Sequence, residues 1–198
     1  MKEVIPLDDP LGRKLIIVFI LLLINAFFAA AEIADISLNG NKLRYEAENG
    51  NAKARKLLRL VEQPTQFLST IQIAITLAGF LASAFAADTF SDPLVDWLIN
   101  DCGWSISRSM LSTISVVVIT IVLSYFTLVL GELVPKRLAM AKPEKVTQLT
   151  SGVVLIAGTI FRPVVWLLTI STNGLLHLFG VDPNQQEEQV SEEEIRLM

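Results

Sequence analysis

Residues 110–136 read MLSTISVVVITIVLSYFTLVLGELVPK, and the environment of that stretch decides the fold. From Met110 to Leu130 no residue is charged. A helix needs roughly 20 apolar residues to cross a hydrocarbon core about 30 Å thick, and this run supplies them. It ends on Gly131, Glu132 and Pro135, with Lys136 next in line. A carboxylate at that depth is costly to desolvate and by default marks an ion or proton pathway. A proline there stops a regular helix from continuing and leaves carbonyls of the preceding turn open to other partners.

Two further windows, Leu15–Ala34 and Phe67–Ala87, have the same character. With 52% hydrophobic residues and a mean hydropathy of +0.53, the chain lies well outside the balance of a soluble domain. Three buried helices of a soluble core would not need windows this long. The first window invites comparison with a signal peptide, because Ala29-Ala30-Ala31 looks like a cleavage site. Its apolar run is too long for that, and Glu3, Asp8 and Asp9 precede Arg13-Lys14, so it reads as a span.

The net charge of −4 conceals a local asymmetry. Lys42, Arg44, Lys53, Arg55, Lys56 and Arg59 lie between the first two windows, whereas Asp88, Asp92, Asp96 and Asp101 lie between the second and third. Lys136, Arg137, Lys142 and Lys145 come after the third. The positive-inside rule then predicts a multi-pass protein of the cell membrane with the N-terminus outside and the C-terminus cytoplasmic. Cys102, the single cysteine, has no partner for a disulfide within its own chain.

Residues 39–62 read as two short cytoplasmic helices broken near Asn49-Gly50-Asn51, the second with a sticky face of Leu57, Leu58, Leu60 and Val61. Residues 142–180 are apolar but interrupted by Arg162-Pro163 and loosened by Gly152, Gly158 and Gly174. The expectation is a kinked helix at the cytoplasmic interface, with Trp166 and His177 near headgroup depth, and a fourth span is the alternative. From Pro183 the composition turns polar, and Ser191 with Glu194 forms a capping-box pattern that opens a helix. A chain that stops there reads as a membrane domain cut from something longer.

Inside the windows, small and polar residues recur at helical spacing. Asn25, Ala29 and Glu32 share one face, Ser69, Gln72, Thr76, Gly79 and Ser83 a second, and Thr120, Ser124, Thr127 and Gly131 a third. Such stripes commonly serve close helix packing. Packing does not need a carboxylate, however, and Glu32 and Glu132 each sit at the end of a window. The plainest alternative for Glu132 is a salt bridge to Lys136, one turn on. Carboxylate, hydroxyl, amide and carbonyl oxygens are hard ligands suited to Mg²⁺, Ca²⁺, Na⁺ or H⁺. One histidine and one cysteine make no zinc or copper site. No nucleophile elbow, phosphate-binding glycine loop or paired acids of a soluble cleft occur, so no enzyme is expected, and no nucleic-acid partner either.

Three segments then resemble the CorC/CNNM (cyclin M) family of magnesium transporters, also called hemolysin C-like in bacteria. They are Asn25-Ala26-Phe27-Phe28-Ala29-Ala30-Ala31-Glu32-Ile33-Ala34, the run from Phe67 to Leu77, and Gly131-Glu132-Leu133-Val134-Pro135-Lys136, joined by a connector over 48–55. The resemblance implies an all-α membrane domain over 1–182 with three transmembrane helices, short cytoplasmic helices and a juxtamembrane belt helix. It implies a homodimer in the lipid bilayer, and a linker starting at 183–198 that leads to a pair of CBS domains, where ATP would bind. The implied activity is Mg²⁺ export, coupled to Na⁺ entry by alternating access. Glu132 would be a carboxylate ligand and Gly131 would supply carbonyls, with Asn25, Ser69, Thr70 and Thr76 as further candidate ligands and Glu32 the second acid. Many members carry serine at the position of Ala29 and asparagine at that of Ile75. Those departures favour the rival reading, a non-transporting ion sensor or regulatory scaffold. A membrane-damaging hemolysin would need a long amphipathic pore-forming segment, which the sequence lacks.

Overall fold

The computed structural model describes residues 10–61, 64–104 and 106–180. All regular structure among them is helical: α1 (Pro10–Ile36), α2 (Gly40–Glu48), α3 (Ala52–Val61), α4 (Pro64–Asn100), α5 (Arg108–Leu128), a π-helical turn (Val129–Leu133), α6 (Val134–Ala141) and α7 (Pro143–Leu178). Prolines open α1, α4 and α7, at a place where a missing N–H costs no helical bond.

The all-α membrane class is as expected, but the number of long apolar helices is not. Four rather than three are long and apolar enough to cross a bilayer: Gly12–Ile36, Phe67–Asn100, Arg108–Ala141 and Pro143–Leu178. The fourth is one continuous helix through Pro163, so no break occurs at Arg162-Pro163. A proline inside a long helix forfeits one backbone bond, which the packing of the rest of that helix can offset. Thr147, Thr150, Ser151, Val154 and Ala157 are buried on α7, all in its first half.

The break between α2 and α3 falls at the predicted Asn49-Gly50-Asn51. Asn39 caps α2 by accepting from Lys42 N, Gly50 takes a positive φ of 90°, and Asn51 Oδ1 accepts from Ala54 N to open α3. Of the predicted sticky face, Leu57 is buried and Leu58 half-buried against the core. The side chains of Leu60 and Val61 lie outside the described residues, as do the whole 183–198 linker and its capping box.

The core gathers at the end of the bundle nearest the basic connector. Phe28 and Ala31 of α1, Leu43 and Ala47 of α2, Ala54 and Leu57 of α3, Phe67, Ile71 and Ala74 of α4, and Val154 and Ala157 of α7 form one cluster. Alanines dominate the buried stripe of α4, with Ala74, Ala78, Ala82 and Ala86 recurring every fourth residue. Small side chains at that spacing let helix backbones approach closely. Lys42 Nζ pairs with Glu144 on the core-side end of the molecule. That hydrogen bond raises Lys42 above the ordinary lysine value. At the other end Lys14 pairs with Asp88 at 2.8 Å, and Arg108 with Asp96 at 2.8 Å. Most of the α5 surface is apolar and exposed, including Val117, Ile121, Val122 and Tyr125, as expected of a helix facing lipid.

Candidate functional site

Pro135 organises the site through the hydrogen bond it cannot make. In an α-helix the N–H of residue 135 would bond to the carbonyl of residue 131, and proline has no N–H to give. The chain answers with a wider turn, Val129–Leu133, in which Val134 N donates five residues back to Val129 O. Helix then resumes to Ala141. So a regular helix does fail at this point, but the chain goes on in the same direction. Turns of this kind are often functional.

Pro135 cannot donate to Gly131 O, and Asn25 of α1 does. Asn25 Nδ2 donates to Gly131 O at 3.1 Å. Because only the amide nitrogen can donate to a carbonyl, the bond also fixes which way the amide points. Asn25 is 2% exposed, and its Oδ1 has no hydrogen-bond partner. Gly131 suits this close contact: an added Cβ would stand 3.0 Å from Leu22 Cδ1 and 3.1 Å from Asn25 Nδ2, and both side chains would have to give by a few tenths of an ångström. Gly131→Ala is therefore expected to cost about 1 kcal/mol or more by pushing α1 away from the π turn. Gly152→Ala, where an added Cβ meets nothing within 4 Å, is expected to leave stability unchanged or raise it slightly. Paired thermal melts in detergent check both.

A cleft of about 550 Å³ opens beside Asn25. Its walls are Asn25 of α1, Ile75, Thr76, Gly79, Phe80 and Ser83 of α4, Thr120, Leu123, Ser124, Thr127 and Leu128 of α5, and Glu132 of the π turn. These are largely the polar stripes read from the sequence, now facing one space. Of the candidate ligands, Glu132, Asn25 and Thr76 reach the cleft, and Gly131 lies behind Asn25 with its carbonyl engaged. Ser69 and Thr70 lie nearer the start of α4 and do not line it; Thr70 is buried opposite Gly158 of α7. Glu32 does not line it either. Among the two departures, Ala29 is fully buried, while Ile75 forms part of the cleft wall.

Glu32 and Glu132 are nonetheless joined. Lys136 Nζ lies 2.8 Å from Glu132 Oε1 and 2.9 Å from Glu32 Oε2. The salt bridge weighed for Glu132 exists, and it reaches a second carboxylate on α1 that spacing along one helix could not reveal. A carboxylate has two oxygens and about four lone-pair sites, so one contact to lysine leaves Glu132 with acceptor capacity. Among the described residues no three His, Cys, Asp or Glu side chains come together as a metal-binding group. Asp35, at the end of α1, is buried with Oδ1 unpartnered, but it is not a wall of the cleft.

The family model described as the cyclin M transmembrane N-terminal domain (CNNM) matches residues 15–198. A UPF0053 protein of Synechocystis is 34% identical over 185 residues, covering 93% of this chain and 40% of the relative. A UPF0053 protein of Haemophilus influenzae is 33% identical over 187 residues, covering 94% and 40%. A polyamine export protein, also of Haemophilus influenzae, is 26% identical over 183 residues, covering 92% and 41%. The chain thus spans about 40% of the length of the curated relatives it matches. The match to the family model takes in all three segments that carry the cleft, from Asn25 through Thr76 to the turn at Gly131 and Glu132, and the chain belongs to the CNNM family of membrane proteins.

Proposed function

We propose that this chain is the transport unit of a cation exporter whose cargo is Mg²⁺, moved outward against Na⁺ entry. The observation that carries the reading is one cleft between α1, α4 and α5 lined by both Glu132 and Asn25, whose Oδ1 is buried without a hydrogen-bond partner. Both are hard oxygen donors, and Thr76, Thr120 and Thr127 add hydroxyls around them. Mg²⁺ dehydrates reluctantly and is typically held by one or two carboxylates together with retained waters. One carboxylate, one amide oxygen and several hydroxyls match that demand better than they match a fully dehydrated, all-protein cage. In this reading the basic segment of α2 and α3 faces the cytoplasm, and two copies of the chain work as a dimer. Proteoliposomes loaded with a Mg²⁺-sensitive dye are expected to show Mg²⁺ flux that rises with an opposing Na⁺ gradient. Absence of Mg²⁺ flux under every gradient would discard Mg²⁺ as cargo, and absence of any cation flux would favour the sensor or scaffold reading.

One observation supports a second cargo. Lys136 Nζ is a primary alkylammonium held between two carboxylates, and the cleft walls at Ile75, Phe80, Leu123 and Leu128 suit a methylene chain. An organic polyammonium ion has both chemistries, and a relative carries the name polyamine export protein. Flux of putrescine without flux of Mg²⁺ in the same vesicles would move the assignment to this class.

A further inference from the structure

A cation that binds Glu132 from the cleft meets a carboxylate already in contact with a lysine. Glu132 lines the cleft, whereas Lys136 and Glu32 do not. Lys136 Nζ therefore approaches Glu132 from outside the cleft wall, at 2.8 Å, and keeps its second contact to Glu32 at 2.9 Å. Two carboxylates and one ammonium leave this cluster one negative charge. All three side chains are half-buried, at 26%, 21% and 34% exposure for Lys136, Glu32 and Glu132. In such surroundings two cations on one carboxylate repel strongly. A lysine side chain has four carbons of slack, so its ammonium can shift toward Glu32 without any movement of the backbone.

We propose that Lys136 is a tethered competitor for the cargo at Glu132, and that Glu32 is the carboxylate that draws it off when cargo arrives. Without cargo, Lys136 keeps Glu132 compensated, so the cleft does not hold an unpaired carboxylate. With cargo bound, Glu32 alone holds the ammonium and Glu132 serves the ion. Only a cation of sufficient charge density displaces the lysine, which favours a divalent ion over Na⁺. Glu32 is then a positioning residue that acts through Lys136 and not by contact with the ion. The inference rests on the cation-pathway reading of the cleft.

The test is Mg²⁺ titration of the detergent-purified full chain by calorimetry, comparing wild type, Lys136→Met, Glu32→Gln and the double variant, each checked for folding by thermal melt. Removing the competitor is expected to tighten binding on the order of tenfold, and Glu32→Gln to weaken it by a similar factor. The deciding measurement is the double variant. If Glu32 acts through Lys136, Glu32→Gln has no effect once Lys136 is methionine, so the double variant binds like Lys136→Met. Additive effects would mean that each charge simply contributes to the field at the ion, and the inference would be overturned. Weaker binding in Lys136→Met would also overturn it, because the lysine would then be a structural bridge. If Lys136→Met does not fold, Lys136→Gln takes its place in the same cycle. Binding seen only when Lys136 is removed supports the inference, whereas no Mg²⁺ binding in any variant defeats the Mg²⁺ reading of the cleft and the inference with it.

Discussion

Replacing Glu132 by glutamine is expected to abolish saturable Mg²⁺ binding, with a loss of at least about 100-fold in affinity, and to stop flux in proteoliposomes. Glutamine keeps the size and the hydrogen-bonding reach of glutamate but carries no charge. Among the described residues lining the cleft Glu132 is the only one with an ionisable carboxylate, so none of them replaces it as the counter-charge for a divalent ion. The fold is expected to survive. Lys136 retains Glu32 at 2.9 Å, and that pair is neutral as a unit. A thermal melt within a few degrees of wild type, together with a flat calorimetric titration, is the expected pair of results. Retained tight binding would move the ion away from the π turn altogether. Glu132→Asp discriminates further: it keeps the charge but withdraws it by one methylene, so weakened and still saturable binding is expected.

The parts of this molecule legible in the sequence are those governed by periodicity and by local chemistry. Apolar windows of sufficient length locate α1, α4 and α5, and hydroxyls at steps of three and four identify the faces of α4 and α5 that line the cleft. Asn49-Gly50-Asn51 breaks the connector because glycine accepts a positive φ and asparagine caps the helix beyond it. Pro135 is readable as an interruption, since a missing N–H is a property of the residue itself. The partner of the freed Gly131 carbonyl is not readable, because its donor, Asn25, lies 106 residues away on another helix. The Glu32–Lys136 contact is hidden for the same reason. α7 departs from expectation because Arg162-Pro163 looks like a break when judged locally, whereas the helix is held by packing of its first half on α1 and α4. Ser69 and Thr70 share polarity with Thr76 but not its height along α4, and a stripe of polar residues does not say how far a cavity extends.

Asn25 has two roles in the proposed site, and a substitution at a different residue is expected to separate them. Its Nδ2 donates to the carbonyl that Pro135 cannot serve, and its Oδ1, buried without a hydrogen-bond partner, is the atom that would turn to the cargo in the proposed site. Asn25→Ala removes both. The Gly131 carbonyl would lose its side-chain donor, at a cost of about 1 kcal/mol or more, and cation binding is expected to weaken at least about tenfold. Pro135→Ala restores an N–H four residues after Gly131, where α-helical geometry would aim it at that carbonyl. The double variant Asn25→Ala with Pro135→Ala is therefore expected to recover most of the lost thermal stability, because the carbonyl regains a partner from its own helix. It is not expected to recover binding, because nothing restores the amide oxygen of Asn25. A double variant that regains both would reduce Asn25 to a brace for the π turn and remove it from the ligand set. One that regains neither would mean that the π turn itself, and not merely the satisfied carbonyl, is what the fold requires at Gly131.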